Sequence, residues 1–307
     1  MTPSRPEFVL EAEPMSKYTT VGTGGPAQFL ARCGTKEQLV EVLDWSAAAG
    51  LDLSVLGSGS NLLVADEGVS GLVIKLDRGL AGIAVDGTEL ECGGGARLPA
   101  VAAAAAREGL AGLEFGVSIP GTVGGAVRMN ANAYGGQLAN TLVWVDVVTA
   151  KGSERRLPEQ FEFAYRSSNL ISGEVVASAR FRLEPSDPSS VRADLAELRA
   201  RRKESQPWGV RTFGSTFKNP TDERAEGRSA GRILDAAGCR GLRIGGAGFS
   251  EKHANFVVNH GDATTADVVA VMAEGIRRVE EQFGVVLEPE VQTFGEVVFP
   301  SDWPWGE

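Results

Sequence analysis

Residues 214–220, Gly214-Ser215-Thr216-Phe217-Lys218-Asn219-Pro220, place a hydroxyl, an ammonium and an amide inside one loop bounded by glycine and proline. A serine hydroxyl three residues from a lysine suits a group that gives up a proton beside an anionic substrate, because the cation lowers the cost of the alkoxide left behind. The same residue types form turns, and a lone lysine is ordinarily solvated. On its own the segment reads better as a plain turn, so other parts of the chain must decide. Basic residues are frequent from Arg192 to Lys252 and include Lys203, Lys218, Arg228 and Arg232. They fit either a pocket for a phosphate-bearing small molecule or solvated helix faces, and for Arg201 and Arg202 the solvated face is the better fit.

The elements that must position such a loop belong to a chain of 307 residues, 43% hydrophobic and 23% charged, for which two or three compact units are expected. A formal net charge of -10 argues against a nucleic-acid surface over the whole molecule but leaves room for a local basic pocket. Cys33, Cys92 and Cys239 are scattered without a C-x-x-C pair, as buried thiols in a reducing compartment would be. His253 and His260 are the only histidines, so no metal site of the usual Cys/His kind is expected. Residues 1–14 lack the apolar core of a signal peptide, and no later stretch approaches the ~18 apolar residues of a membrane span. The expectation is a cytoplasmic protein without membrane insertion. No protein partner is inferred.

Thr35, Gln38 and Gly50 mark a helix over 36–49 with a capping box at its start. Short apolar runs at 53–56, 62–64 and 72–76 read as strands, making the opening βαβ-like. Asp86-Gly87 signals a hairpin, and Pro99 opens an alanine-rich helix ending at Gly109, small-sided enough to approach a sheet or a cofactor closely. Strands are expected at 142–149 and 174–183. A polar helix from about 187 to 204 resembles a linker and carries the main boundary. Beyond it come a short helix at 230–237, a strand at 254–259 and a long helix at 265–283 with Val268, Met272, Ile276, Val279 and Phe283 along one stripe.

Glycines cluster before residue 140. Gly57-Ser58-Gly59-Ser60-Asn61 lies between two expected strands, and Pro120-Gly121-Thr122-Val123-Gly124-Gly125-Ala126 forms a second small-residue cluster. Such loops let backbone N–H groups face a pyrophosphate without interference from Cβ. The first is not a Rossmann fingerprint, since Leu62 stands where the third glycine is needed. Taken singly each reads better as a tight turn; together they fit a flavin or nucleotide cradle equally well.

An ordered set of segments adds to this. It runs from Tyr18-Thr19-Thr20 and Gly24-Gly25-Pro26-Ala27 through Leu56 to Val64, Gly112 to Phe115, Ile119 to Asn130 and Ala133-Tyr134-Gly135. It continues with Tyr165-Arg166-Ser167-Ser168, Gln206-Pro207, Gly214 to Pro220, Ala230-Gly231-Arg232, Ser250 to Phe256 and Leu287 to Val291. On these the chain resembles the UDP-N-acetylenolpyruvoylglucosamine reductase family, in its subtype without an extra tyrosine-bearing loop. The resemblance implies an α+β protein: a two-domain FAD-binding fold of the vanillyl-alcohol-oxidase (PCMH) type, at 1–80 and 81–205, plus a smaller α/β substrate domain at 206–307. It implies noncovalent FAD at Gly57, Ser58, Gly59, Ser60, Asn61, Pro120, Gly121, Thr122, Gly124, Gly125 and Ala126, with NADPH as electron source. It also implies that Ser215 donates a proton while Arg166 and Glu290 bracket the substrate carboxylate, and that Lys203, Lys218, Asn219 and Arg228 hold the sugar nucleotide, with His253 and Asn255 nearby. Thr212-Phe213, Val21-Gly22-Thr23 and Asn132 depart from the family pattern, and Phe213 is expected to narrow the pocket beside Ser215.

Without the resemblance, Arg166 reads as a surface partner of Glu162 or Glu174, and Glu290 as a strand edge. Other readings are a flavin oxidase on the same fold and a nucleotide-binding regulator that has lost catalysis. No histidine lies within the first 252 residues, which disfavours covalent attachment of flavin there. The purified protein should accordingly be yellow, and acid precipitation should release its flavin into the supernatant. Flavin retained in the pellet, or a colourless protein that FAD cannot reconstitute, would contradict this.

Overall fold

Thr35 and Gly50 bound the helix Lys36–Ala49 as their residue types dictate. The Thr35 hydroxyl accepts from the Gln38 N–H, and Gly50 adopts φ +64, the left-handed conformation that closes a helix cheaply only with glycine. Gln38 does not complete the expected capping box; its side-chain oxygen accepts instead from the Gly34 N–H at 2.8 Å. The helix buries Leu39, Val42 and Leu43 with Leu72 and Ile74 of the strand Val69–Leu76.

The computed structural model describes residues 4–301 and 303–305. The chain folds into two compact units. The first holds the chain up to Ala12, Gln28–Ser58 and Gly71–Arg202; the second holds Glu13–Ala27, Gly59–Ser70 and the chain from Lys203.

In the first unit a four-stranded sheet runs in the order Val9–Pro14, Pro26–Cys33, Val69–Leu76, Leu53–Leu56. A five-stranded antiparallel sheet follows the order Gly152–Arg156, Leu142–Thr149, Val175–Arg182, Glu89–Gly93, Ile83–Asp86. The pairing of Leu142–Thr149 with Val175–Arg182 shifts register between Leu142 and Trp144 and between Asp146 and Val147, and Leu142 and Val145, three residues apart, both enter the core of this sheet. Successive residues of a strand face opposite sides, so Val147 enters one core and Val148 the other. The alanine helix Leu98–Arg107 is covered on two sides: Val101, Ala104 and Ala105 join the core of the larger sheet, and Ala102 and Ala106 meet Val191 and Leu195. Those last two belong to the helix Pro188–Ser205, which is therefore docked and not the bare linker its polar sequence suggests. Burying each such side chain contributes about 1.5–3 kcal/mol, enough to seat one face of an otherwise solvated helix.

In the second unit an antiparallel sheet has the order Arg211–Ser215, Phe256–Asn259, Ala247–Phe249, Arg243–Ile244. The helices Ala230–Ala236 and Thr265–Phe283 pack on it around Phe213, Phe217, Phe249 and Met272. Val21 and Leu63, far away in sequence, enter this core, and Leu62–Val64 pairs in parallel with Gln292–Phe294. Trp303 stacks on Phe299 at 4.5 Å and is 9% exposed, while the Trp305 indole donates to Leu287 O at 2.8 Å, so the Trp-Pro-Trp segment closes this core. The three cysteines are buried, and burial pushes Cys33 and Cys92 up to about 12 and Cys239 up to about 11, which leaves them as unreactive thiols.

Asp66 caps the long helix from outside: its carboxylate accepts from the N–H groups of Thr265 at 2.8 Å and Ala266 at 3.0 Å. Thr264 and Asp267 form a capping box at the same end. Asp66→Ala should lower stability in a denaturant titration by about 1–2 kcal/mol, the worth of a charged cap on two orphan donors. Glu67→Ala, an exposed neighbour without such a role, should stay within about 0.5 kcal/mol. Equal effects would contradict the capping role.

Candidate active site

Residues 215–218 are held from both sides. Ser215 ends its strand opposite Phe256, after a register shift that Gly214 accommodates at φ +86. The Thr216 N–H then donates to Asn255 O at 2.8 Å, and on the other side the Glu290 N–H donates to Thr216 O at 2.8 Å. Phe217 bridges to Pro289, and the Lys218 N–H donates to Glu288 O at 2.8 Å. The Asn255 side chain, 4% exposed, accepts from the Phe217 N–H at 2.9 Å and donates to Phe217 O at 2.8 Å. Ser215, Lys218 and Glu290 are thus gathered in one strand cluster, and each stays partly exposed. Phe213 does not narrow this site: it is 1% exposed within the core, because alternation on a strand sends it inward.

Asn61 has a role that its sequence context does not reveal. Its Nδ2 donates to Glu290 O at 3.1 Å and its carbonyl accepts from the Gln292 N–H at 3.1 Å, so it anchors the segment bearing Glu290. The Lys218 ammonium forms an ion pair with Glu288. Asn219 Oδ1 accepts from the Ala230 N–H at 3.1 Å. Arg228 pairs with Glu226 at 2.5 Å and lies over the Phe283 ring at 5.2 Å, while Lys203 is exposed and its carbonyl accepts from Lys252 Nζ at 2.6 Å. His253 Nδ1 accepts from the Asn255 N–H at 3.2 Å, and burial pulls its pKa down, so it is a neutral packing group against Gly231.

In the first unit the two small-residue loops meet. Ser58 Oγ donates to Pro120 O at 2.6 Å, and a Cβ on Gly57 would stand 2.8 Å from Thr122 Oγ1. Thr122 caps the helix Val123–Arg128, accepting from the Gly125 N–H at 3.4 Å, and Ala126 is buried on its inner face. Arg166, at φ +58, sits at the tip of a tight turn closed by mutual hydrogen bonds between Ala164 and Ser167 at 3.1 and 3.3 Å. Its Nη1 donates to Asn132 O at 3.1 Å, and the buried Asn130 donates to Ala164 O at 3.1 Å, fastening the turn to the end of the second glycine loop. Glu174 does not take Arg166 as a surface partner, since it pairs with Arg156 at 2.5 Å.

Comparison with known proteins decides the family. A family model described as "UDP-N-acetylenolpyruvoylglucosamine reductase, C-terminal domain" matches residues 206–294, and one described as "FAD binding domain" matches residues 27–158. UDP-N-acetylenolpyruvoylglucosamine reductase 2 of Symbiobacterium thermophilum is 42% identical over 292 residues, 94% of this chain and 93% of that protein. The Agathobacter rectalis UDP-N-acetylenolpyruvoylglucosamine reductase is 43% identical over 302 residues, 94% of each chain. The chain belongs to the UDP-N-acetylenolpyruvoylglucosamine reductase family. The crystal structure of UDP-N-acetylenolpyruvylglucosamine reductase (MurB) from Thermus caldophilus superimposes with a TM-score of 0.80 at 38% identity, covering 94% of this chain and 98% of that one. The α+β fold is therefore a FAD-binding domain of the PCMH type followed by the reductase C-terminal domain, and the enzyme class is a FAD-dependent oxidoreductase.

The glycines of this reductase fit a bound FAD selectively. A Cβ on Gly59 would lie 1.9 Å from Tyr18 O, so that glycine is required by the protein's own packing. Gly121 and Gly125 are different: the nearest atom to a Cβ would be 3.6 Å away in each case. Two glycines in the short helix Val123–Arg128 each cost about 1 kcal/mol relative to alanine, and at Gly125 no internal contact explains the choice. A ligand backbone or phosphate lying close over this loop would need the space that a Cβ there would fill. Gly125→Ala should therefore leave the flavin-free protein as stable or slightly more stable, by up to about 1 kcal/mol, while weakening FAD in a fluorescence titration of the apoprotein. Unchanged FAD affinity would remove Gly125 from the cofactor site.

Proposed function

We propose that this reductase converts UDP-N-acetylglucosamine enolpyruvate to UDP-N-acetylmuramate for peptidoglycan precursor synthesis, with electrons from NADPH. Family membership over 94% of the chain supports the reaction, and the observation that carries the residue assignment is the clamped Ser215–Lys218 segment beside Glu290. The two-electron chemistry comes from the bound flavin, with NADPH as source and the enolpyruvyl double bond as acceptor. Hydride on the terminal carbon leaves negative charge on the carbon that bears the carboxylate, and that carbon must then gain a proton.

In this reading the Ser215 hydroxyl gives that proton from a segment fixed on both sides by its backbone hydrogen bonds. Arg166, whose planar fork suits bidentate contact, binds the substrate carboxylate. Glu290, protonated or sharing a proton with it, hydrogen-bonds the same carboxylate as it gains enolate character. Lys218 can serve the sugar nucleotide by exchanging its Glu288 carboxylate for a substrate phosphate, with Lys203, Asn219 and Arg228 as further contacts. Residues 1–80 and 81–205 are assigned to the two parts of the flavin domain and 206–307 to the substrate domain. A sugar-nucleotide substrate puts the proposed activity in the cytoplasm. No described helix is long and apolar enough to cross a membrane.

Stopped-flow absorbance separates the half-reactions. Ser215→Ala should still bleach the flavin with NADPH at nearly the parent rate, while reoxidation by the enolpyruvyl substrate slows at least ~10²-fold, the loss expected of a missing general acid. Reoxidation as fast as the parent would assign the proton to another group.

A further inference from the structure

The strand Val69–Leu76 carries a lysine, Lys75, that none of the preceding roles uses. It stands directly across the parallel ladder from Leu56, the residue before the first glycine loop. Its ammonium is half-buried and donates to Gly57 O at 2.9 Å. Gly57 is also where that loop meets the second one, with Thr122 Oγ1 2.8 Å from where a Cβ would be. The cation is thus built into the junction of the two loops.

Among the described residues no carboxylate pairs with it. Asp77 attracts the ammonium, yet its carboxylate is committed to Arg32 at 2.6 Å, and both Arg32 and Arg97 repel it. Arg97 adjoins the same junction through its backbone bridge to Thr122. Desolvation, the largest influence, pulls the Lys75 pKa down. A partly buried ammonium with one carbonyl partner, next to a second cation, is an unfavourable arrangement unless an anion completes it. A methionine or leucine would cover the same apolar surface without that penalty.

We propose that Lys75 is a cofactor-binding residue whose ammonium, steered by the Gly57 carbonyl, neutralises the diphosphate of FAD at the junction of the two loops. The inference rests on FAD occupying those loops. It assigns to the side chain of an interior strand a task that glycine-rich backbone performs only in part, since N–H dipoles offer partial charges and an ammonium a full one.

Flavin-free full-length protein should be titrated with FAD and with riboflavin, which carries no phosphate, at low and high salt, for the parent, Lys75→Met and Lys75→Arg. Lys75→Met should weaken FAD by about tenfold or more, the scale of a lost charge-assisted contact, leave riboflavin within about twofold, and flatten the salt dependence of FAD binding. Lys75→Arg should recover most of the FAD affinity. The flavin-free Lys75→Met protein should melt at the parent temperature or above it. Unchanged FAD affinity, parallel losses for FAD and riboflavin, or a less stable flavin-free variant would each overturn the proposal, the last two by making Lys75 a support for the loop. A parent protein that binds no FAD would instead overturn the placement of the cofactor in these loops, and the proposal with it.

Discussion

The side-chain amide of Asn255 is the contact on which the geometry around Ser215 depends. Buried backbone N–H and C=O groups need partners, and those of Phe217 lie where the segment leaves its sheet. A carboxamide offers a donor and an acceptor on separate atoms of one plane, as a peptide group does. Asn255 supplies both to Phe217, at 2.9 and 2.8 Å, while its own carbonyl takes the Thr216 N–H. Losing the amide would leave two buried polar groups unmatched, at about 1–3 kcal/mol each. Phe217 would lose its fixed place in the core, and with it the positions of Ser215 before it and Lys218 after it would loosen.

The first unit solves a different problem, bringing two loops with little side-chain bulk into one place while keeping them defined. Some of its small residues exist for the protein's own packing and some do not, and the room around Gly121 and Gly125 separates the two kinds. A chain with a net charge of -10 nevertheless keeps Lys75 and Arg97 together at that junction. Local potential, not total charge, decides what anion a site accepts.

Legibility in the sequence follows the range of the interactions. The helices Lys36–Ala49 and Thr265–Phe283 begin and end where the sequence predicts, because Thr35, Gly50, Thr264 and Gly284 act on their own neighbours. The strand Leu142–Thr149 is equally plain, its apolar β-branched run being long enough to exclude other readings. What cannot be read joins distant segments: Asp66 on the helix at Thr265, Asn61 on Glu290, Leu62–Val64 beside Gln292–Phe294. No local spacing encodes those partners. The inward direction of Phe213 escapes the sequence because it depends on strand register, and the docked face of Pro188–Ser205 because Val191 and Leu195 make too narrow a stripe to stand out among charges. The parts assigned to Ser215, Arg166 and Glu290 come from family resemblance; local structure shows how each is fastened.

NADPH consumption by the purified protein tests the coupled redox reaction on one sugar nucleotide most directly. With UDP-N-acetylglucosamine enolpyruvate present, NADPH should be oxidised over many turnovers, one equivalent for each UDP-N-acetylmuramate formed, and little should be consumed without it. Rapid oxygen-dependent NADPH oxidation indifferent to the sugar nucleotide, or no consumption by a protein replete with FAD, would contradict it.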